Sequence, residues 1–269
     1  YNKIIDQILK NLPILNEWLD REILKKFNNE SWNDSIKKLH DPKNIGDFKS
    51  NFYRRLAFDE ILASYLISSE IRKKIKKIKK KEKKFSNKSN EKIISKLNFK
   101  LTNDQKKALT EINKDLSSKS KMFRLLQGDV GSGKTIVALI SAMNVIQSGY
   151  QVAFMAPTEI LCRQHYNLAK KIFSNKIQIE ILTGKTDNYE KKRINNEINS
   201  KKTNIVFGTH SLFQKKIKFN NLGFIIIDEQ HKFGVQQRKS LSDKGGINCD
   251  VLLMSATPIP RTLIMSIYG

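Results

Sequence analysis

Between Met122 and Thr135 the chain reads MFRLLQGDVGSGKT, and this stretch limits its possible folds more sharply than any other. Phe123 to Gln127 reads as a buried strand, and Ile136 to Ile146 as an apolar-faced helix. Between them the pattern G-x-x-x-x-G-K-T runs through Gly128, Asp129, Val130, Gly131, Ser132, Gly133, Lys134 and Thr135. Glycines let backbone N–H groups close around phosphate oxygens, Lys134 reaches the β and γ oxygens, and the Thr135 hydroxyl suits Mg²⁺. The N-terminus of the helix beyond the loop favours an anion. The expected ligand is a nucleoside triphosphate with Mg²⁺.

From Phe99 onward, strand-like runs alternate with helical ones. Strands are predicted at Phe123–Gln127, Val152–Met155, Ile177–Leu182, Asn204–Phe207, Phe224–Ile227 and Val251–Met254. Helices are predicted at Asn103–Leu116, Ile136–Ile146, Glu159–Phe173, Asn188–Ile198 and Gln236–Ser242, with Thr102 as an N-cap. This order gives an α/β fold, a parallel sheet flanked by helices with its ligands at the carboxyl ends of the strands. At those ends lie Asp228 and Glu229, a pair suited to holding Mg²⁺ and polarising an attacking water. Other strand ends carry Pro157 and Thr158, Thr183 and Gly184, Thr209 and His210, and Ser255 and Thr257. Small hydroxyls and backbone N–H groups there suit a nucleic-acid backbone, although each Ser or Thr is equally suited to capping the helix after it.

Composition points the same way. With 50 basic and 26 acidic residues the formal charge is +24, an electrostatic footprint for a polyanion, although lysine-rich drift would also leave solvated lysines. Only nine basic residues are arginine, which makes Arg54, Arg55, Arg163, Arg238 and Arg261 the sharper candidates for specific contacts. Residues 72–84 hold ten basic side chains against Glu82. With Ile71, Ile75 and Ile78 on one stripe, the reading is a basic helix over 71–84 lying on a domain, its lysines facing solvent or, alternatively, DNA. Upstream, short helices broken near Pro13 and Asn28-Asn29, a helix over Trp32–Leu39 capped by Ser31, and a longer one over Phe52–Ile71 form a connector, 1–98, before an ATP-binding domain, 99–269. Cys162 and Cys249 stand apart from any metal or disulfide pattern, so free thiols in a reducing cytoplasm are expected. No apolar run is long enough to cross a bilayer. Both ends look cut, and the chain reads as a fragment of a longer protein.

Six stretches in order, FxLTxxQ (Phe99 to Gln105), LLQGDVGSGKT, MAPTEIL, FGTHSLFQ, IIDEQHKFGVQQR and LLMSATPIPRTL, resemble the first RecA-like lobe of superfamily 2 helicases. Within that superfamily they are most similar to the RecG family of ATP-dependent branch-migration DNA helicases. Upstream, LPILNEWLD, SWNDSIKKLH and RRLAFDEILASYL are similar to the segment joining that family's fork-splitting wedge domain to its motor. The resemblance implies that Gln105 contacts adenine, that Lys134 and Thr135 bind phosphate and Mg²⁺, and that Asp228 and Glu229 run hydrolysis. It implies backbone contacts to DNA at Thr158, Thr183, Gly184, Thr209 and His210, and coupling through His231, Ser255 and Thr257. Cys162, Arg163 and Lys232 depart from the family's Ala, Glu and Arg.

The implied partners are branched double-stranded DNA at replication forks and Holliday junctions, and a second RecA-like lobe and wedge domain of the same protein. The protein is expected to be a monomer in a bacterial cytoplasm, associated with the nucleoid. A lobe without its partner's arginines is expected to hydrolyse ATP poorly. The alternatives are a transcription–repair coupling translocase, or a nucleotide-gated DNA-binding module that unwinds nothing.

Overall fold

The structure, a computed structural model, describes residues 2–41, 47–86, 88–214, 216–229 and 244–256. The described residues fall into two compact units that divide at Ile71 and Arg72.

The first unit holds α1 (Asn2–Lys10), α2 (Arg21–Lys25), α3 (Trp32–Leu39) and most of α4 (Asn51–Lys77). The predicted N-cap is present: the Ser31 hydroxyl accepts from the Asp34 N–H at 3.1 Å. Its interior is small, with Leu19, Phe27, Ser35 and Arg55 buried. Arg55 donates to Glu17 at 2.7 Å, pairs with Asp59 one turn along α4, and lies 5.9 Å from the Trp18 ring, so the buried guanidinium is compensated from three sides. Phe27 and Phe58 add a ring contact at 5.4 Å. Ile61, Tyr65 and Leu66 on α4 are exposed.

The second unit is built on six parallel strands: β1 (Phe123–Gln127), β2 (Gln151–Met155), β3 (Ile179–Leu182), β4 (Ile205–Gly208), β5 (Leu222–Ile227) and β6 (Asp250–Ser255). Their order is β1-β6-β5-β2-β4-β3. Around them run α5 (Lys88–Ile94), α6 (Asn103–Leu116), α7 (Lys134–Gln147), α8 (Glu159–Ile172) and α9 (Asn188–Asn199). The predicted α/β fold is present, and each predicted strand lies within two residues of its observed bounds. Four interior strands are buried along their whole length, as expected of a parallel sheet covered on both faces. Alternate residues divide between the faces. Val152, Phe154, Ile205, Phe207, Phe224, Ile226, Leu252 and Met254 join one core with Leu139 and Val145 of α7 and Cys162 and Ala169 of α8.

Two expectations need correction. The basic helix predicted over 71–84 ends at Lys77, and the residues after it are extended, with Lys79 bridged antiparallel to Ser120 and the Lys80 N–H donating to the Lys119 carbonyl at 2.8 Å. The solvent-facing reading also fails for two of its lysines. Lys80 and Lys83 are buried and both grip Asp250 at the start of β6, at 2.9 and 2.6 Å. Lys80 also caps the C-terminus of α6, donating to the Leu116 carbonyl at 2.7 Å, where the helix dipole favours a cation. Lys83 donates to the Asn248 carbonyl at 2.8 Å, and burial pushes its ammonium below the usual lysine range against the pull of Asp250. The extended path is held by its backbone pairing with residues 119–120, and the Asp250 carboxylate compensates both buried ammonium groups.

Residues 78–98 group with the sheet unit. Within them α5 buries Ile93 in the main core.

Both cysteines are free and buried, and burial pushes each thiol up to about 12. Among the described residues no helix is long and apolar enough to cross a membrane. The predicted helix over Gln236–Ser242, Arg238, Lys232, His231, Thr257 and Arg261 lie outside the described residues.

Candidate functional site

The pairing register aligns the carboxyl ends of the strands along one edge. Gln127 pairs with Ser255, Leu253 with Ile227, Ile227 with Met155, Met155 with Gly208, and Gly208 with Leu182. The glycine loop, the acidic pair and the Ser and Thr positions named from sequence, within the described residues, follow these ends, whereas Arg54 and Arg55 lie on α4 of the first unit and Arg163 within α8. The edge has two halves: β1, β6 and β5 carry the glycine loop, Ser255 and the acidic pair, whereas β2, β4 and β3 carry the hydroxyl-rich turns.

In the first half, the Gly128 N–H donates to the Ser255 carbonyl at 3.3 Å, which ties the loop to the strand beside it. Gly131 and Gly133 take φ of 81° and 80°, the left-handed region where a side chain is strained. A Cβ on Gly133 would also strike the Gln105 amide. Lys134 opens α7, and its Nζ donates to the carbonyls of Gly128 at 2.5 Å and Asp129 at 2.8 Å, so the ammonium spans the inside of the loop. Val130 stands exposed at its crest. Gln105 belongs to a capping box: its N–H donates to the Thr102 hydroxyl at 3.2 Å, and its side-chain oxygen accepts the Thr102 N–H at 3.0 Å. Its Nε2 donates to the Ser132 carbonyl at 2.9 Å, fixing α6 to the loop.

One strand separates the glycine loop from the acidic pair. That strand is β6, and its last residue, Ser255, is fully buried between them. Asp228 continues the register of Phe224 and Ile226, so its side chain is on the face of the sheet packed against α7 and α8; its N–H donates to the Met155 carbonyl at 2.9 Å. Its Oδ1 accepts the Glu229 N–H at 3.0 Å, and Glu229 itself sits at φ 47°. Such backbone strain clusters at functional positions. Asp228 Oδ2 accepts from His165 Nε2 at 2.8 Å. The Asp228 carboxylate and the Thr135 hydroxyl in the first turn of α7 are hard oxygen donors. Each Asp228 oxygen accepts one of these bonds and keeps a further lone pair, a donor set that fits Mg²⁺.

The second half is arranged differently. Thr158 is exposed and caps α8, accepting the Leu161 N–H at 3.3 Å, with Pro157 half-buried before it. Thr183 departs from its expected role as a surface hydroxyl contact. It is 1% exposed, its Oγ1 has no hydrogen-bond partner among the described residues, and its N–H donates to Thr186 Oγ1 at 3.0 Å. The exposed position at that turn is Gly184. Thr209 is half-buried and His210 exposed at the start of a short 3-10 turn, His210–Phe213. That turn is pinned from two sides: Ser211 Oγ donates to the Leu182 carbonyl at 2.5 Å, and Lys244 Nζ donates to the carbonyls of Leu212, Gln214 and Ile217.

A DEAD/DEAH box helicase family matches residues 102–265, which is more than half of the sequence. The chain belongs to the DEAD/DEAH box helicases. Among curated proteins it is similar to the ATP-dependent DNA helicase RecG of Aquifex aeolicus, 44% identical over 260 residues that cover 94% of this chain and 33% of the relative. The RecG of Thermotoga maritima is 43% identical over 269 residues, covering 99% of this chain and 34% of the relative. A solved structure described as RecG bound to a three-way DNA junction superposes with a TM-score of 0.74 at 39% identity, covering 99% of this chain and 36% of that one. The chain therefore spans about a third of the length of the relatives it matches.

His165 is the site residue that sequence reasoning missed. The available signal was its position on the buried stripe of α8 formed with Cys162, Ala169 and Ile172. A polar side chain on such a stripe needs a partner. Asp228, on the matching face of the sheet, provides it.

Proposed function

We propose that the chain is the ATP-binding lobe of a DNA motor that translocates on branched double-stranded DNA, at replication forks and Holliday junctions, in recombination and repair. The observation that carries this reading is the register of the sheet edge, which sets the Lys134 loop and the Asp228–Glu229 pair on either side of one strand. Two sites one strand apart can act on the same triphosphate. Similarity to RecG proteins, one of them solved on a three-way junction, supports the substrate class.

ATP would lie across the loop, its phosphates against the N–H groups of residues 128–135 and the N-terminus of α7. Lys134 would exchange its two loop carbonyls for phosphate oxygens, a stronger, charge-assisted pair of bonds. The Gln105 amide, with one donor and one acceptor site still open after its two bonds, would meet the adenine edge. Asp228 and Thr135 would hold Mg²⁺, which when bound neutralises charge on the transferring phosphoryl group. Glu229 would then accept a proton from the attacking water.

Thr158, Gly184, Thr209 and His210 would meet the DNA backbone, with Thr183 shaping its turn from within. Ser255, buried between the two ATP motifs, would link nucleotide state to DNA grip, together with His231 and Thr257. A second RecA-like lobe and a wedge domain of the same protein are the partners this reading requires, the whole acting as a monomer on the bacterial nucleoid. The test is ATP turnover, with and without forked DNA, by the full-length protein that carries the second lobe. Glu229→Gln is expected to bind nucleotide normally and lose DNA-stimulated turnover; turnover that survives it would overturn the mechanism.

A further inference from the structure

The Asp228 carboxylate is held by a residue from a different element. His165 lies in the second turn of α8, the helix that Thr158 caps, and its Nε2 is 2.8 Å from Asp228 Oδ2. Both side chains are nearly enclosed, each 10% exposed. The imidazole is fixed from a second direction by the Phe154 ring on β2, 4.9 Å between centroids and tilted 44°. Phe154 is itself stacked on Phe207 of β4 at 5.0 Å. The ring therefore has little freedom: aromatic packing sets its plane and the carboxylate takes its proton-bearing nitrogen.

We propose that His165 is a positioning residue for the Asp228 carboxylate, holding Oδ2 so that the carboxylate presents its free lone pairs toward Mg²⁺·ATP and making α8 move as one body with the metal-binding strand end. This rests on the reading of Asp228 as the carboxylate that holds Mg²⁺. The chemistry is that of an outer hydrogen bond on a metal ligand: a carboxylate held at both oxygens, by the Glu229 N–H on Oδ1 and by His165 on Oδ2, has one orientation instead of several. Losing such a partner typically weakens metal binding by about ten- to a hundredfold. The bond also crosses the division of the sheet edge. α8 begins at the hydroxyl-rich half, and through His165 it reaches the acidic pair of the other half.

The experiment titrates Mg²⁺ into the protein with a fluorescent ATP analogue and compares His165→Phe, which keeps the ring on Phe154 but lacks a donor, with His165→Gln, whose amide restores one. His165→Phe is expected to raise the Mg²⁺ midpoint by about tenfold with nucleotide affinity in EDTA unchanged, and His165→Gln to restore most of the loss. On an Asp228→Asn background, His165→Phe should add nothing further. Equal shifts in the Phe and Gln variants would mean that packing alone matters and would overturn the proposal, as would a normal midpoint in His165→Phe. An unchanged midpoint in Asp228→Asn alone would instead overturn the reading of the metal site.

A second measurement needs no substitution. With ¹⁵N-labelled histidine, of which the chain has four, the His165 Nε2–H resonance should be hydrogen-bonded in the free protein and shift when Mg²⁺ is added to the nucleotide complex. A resonance indifferent to Mg²⁺ would contradict the assignment.

Discussion

The two halves of the sheet edge share one architecture and use it differently. Under β1, β6 and β5, side chains are drawn inward onto the loop and the acidic pair: Lys134 spans the loop, Gln105 braces it, and Asp228 is bonded at both oxygens. Under β2, β4 and β3, the hydroxyls serve the fold first. Thr158 caps a helix, Thr183 is enclosed, and the His210–Phe213 turn is tied down by Ser211 and Lys244. On the proposed reading the first half converges on one small polyanion, and the second presents a row of shaped turns to an extended one. Phosphate contacts of that second kind position a duplex without reading it.

The largest expected effect lies on the opposite edge and serves as a control for both halves. Asp250→Ala leaves Lys80 and Lys83 buried without their carboxylate, and breaking a buried pair in this way costs about 3–5 kcal/mol of stability. Denaturant unfolding should register the loss while the folded protein keeps its nucleotide affinity. Next comes Lys134→Ala, which removes a charged donor from the phosphates and should weaken a fluorescent ATP analogue by about 3 kcal/mol, roughly a hundredfold. DNA binding without nucleotide should survive it, since that belongs to the other half.

Gln105→Ala should cost about 1 kcal/mol of nucleotide binding, roughly fivefold, by loss of the brace to Ser132 and of the adenine contact. Competition with GTP sharpens this: selectivity for ATP should fall in the variant, whereas bracing alone would weaken both nucleotides equally. Thr158→Asp has the smallest effect on the fold and the most informative one on the comparison. Aspartate keeps the N-cap, so stability should hold within about 0.5 kcal/mol, but its charge faces any phosphate at the start of α8. Weaker DNA binding with an unchanged melting point is the expected result; unchanged DNA binding would make Thr158 a cap and nothing more.

The parts of the molecule that are legible in its sequence are those whose signals are local. The glycine loop, the N-caps at Ser31 and Thr102 and the six strands are written in short patterns, and the structure reproduces them nearly residue for residue. The lysine-rich segment misleads because charge normally marks a solvated face. Only the fold reveals that Asp250, far along the chain, takes Lys80 and Lys83 inside. His165 escapes for the same reason in reverse: its helix is correctly placed from sequence, but its partner lies 63 residues away. Thr183 looks like its neighbours Thr158 and Thr209, and burial alone separates it from them.

The division itself is most directly tested by hydrogen–deuterium exchange of the protein alone, with Mg²⁺·ATP analogue, and with forked DNA. Nucleotide should protect residues 128–135 and the Asp228–Glu229 turn, and DNA should protect residues 157–160, 183–186 and 208–212. Nucleotide protection confined to the β2, β4 and β3 turns, or DNA protection confined to the glycine loop, would contradict the account.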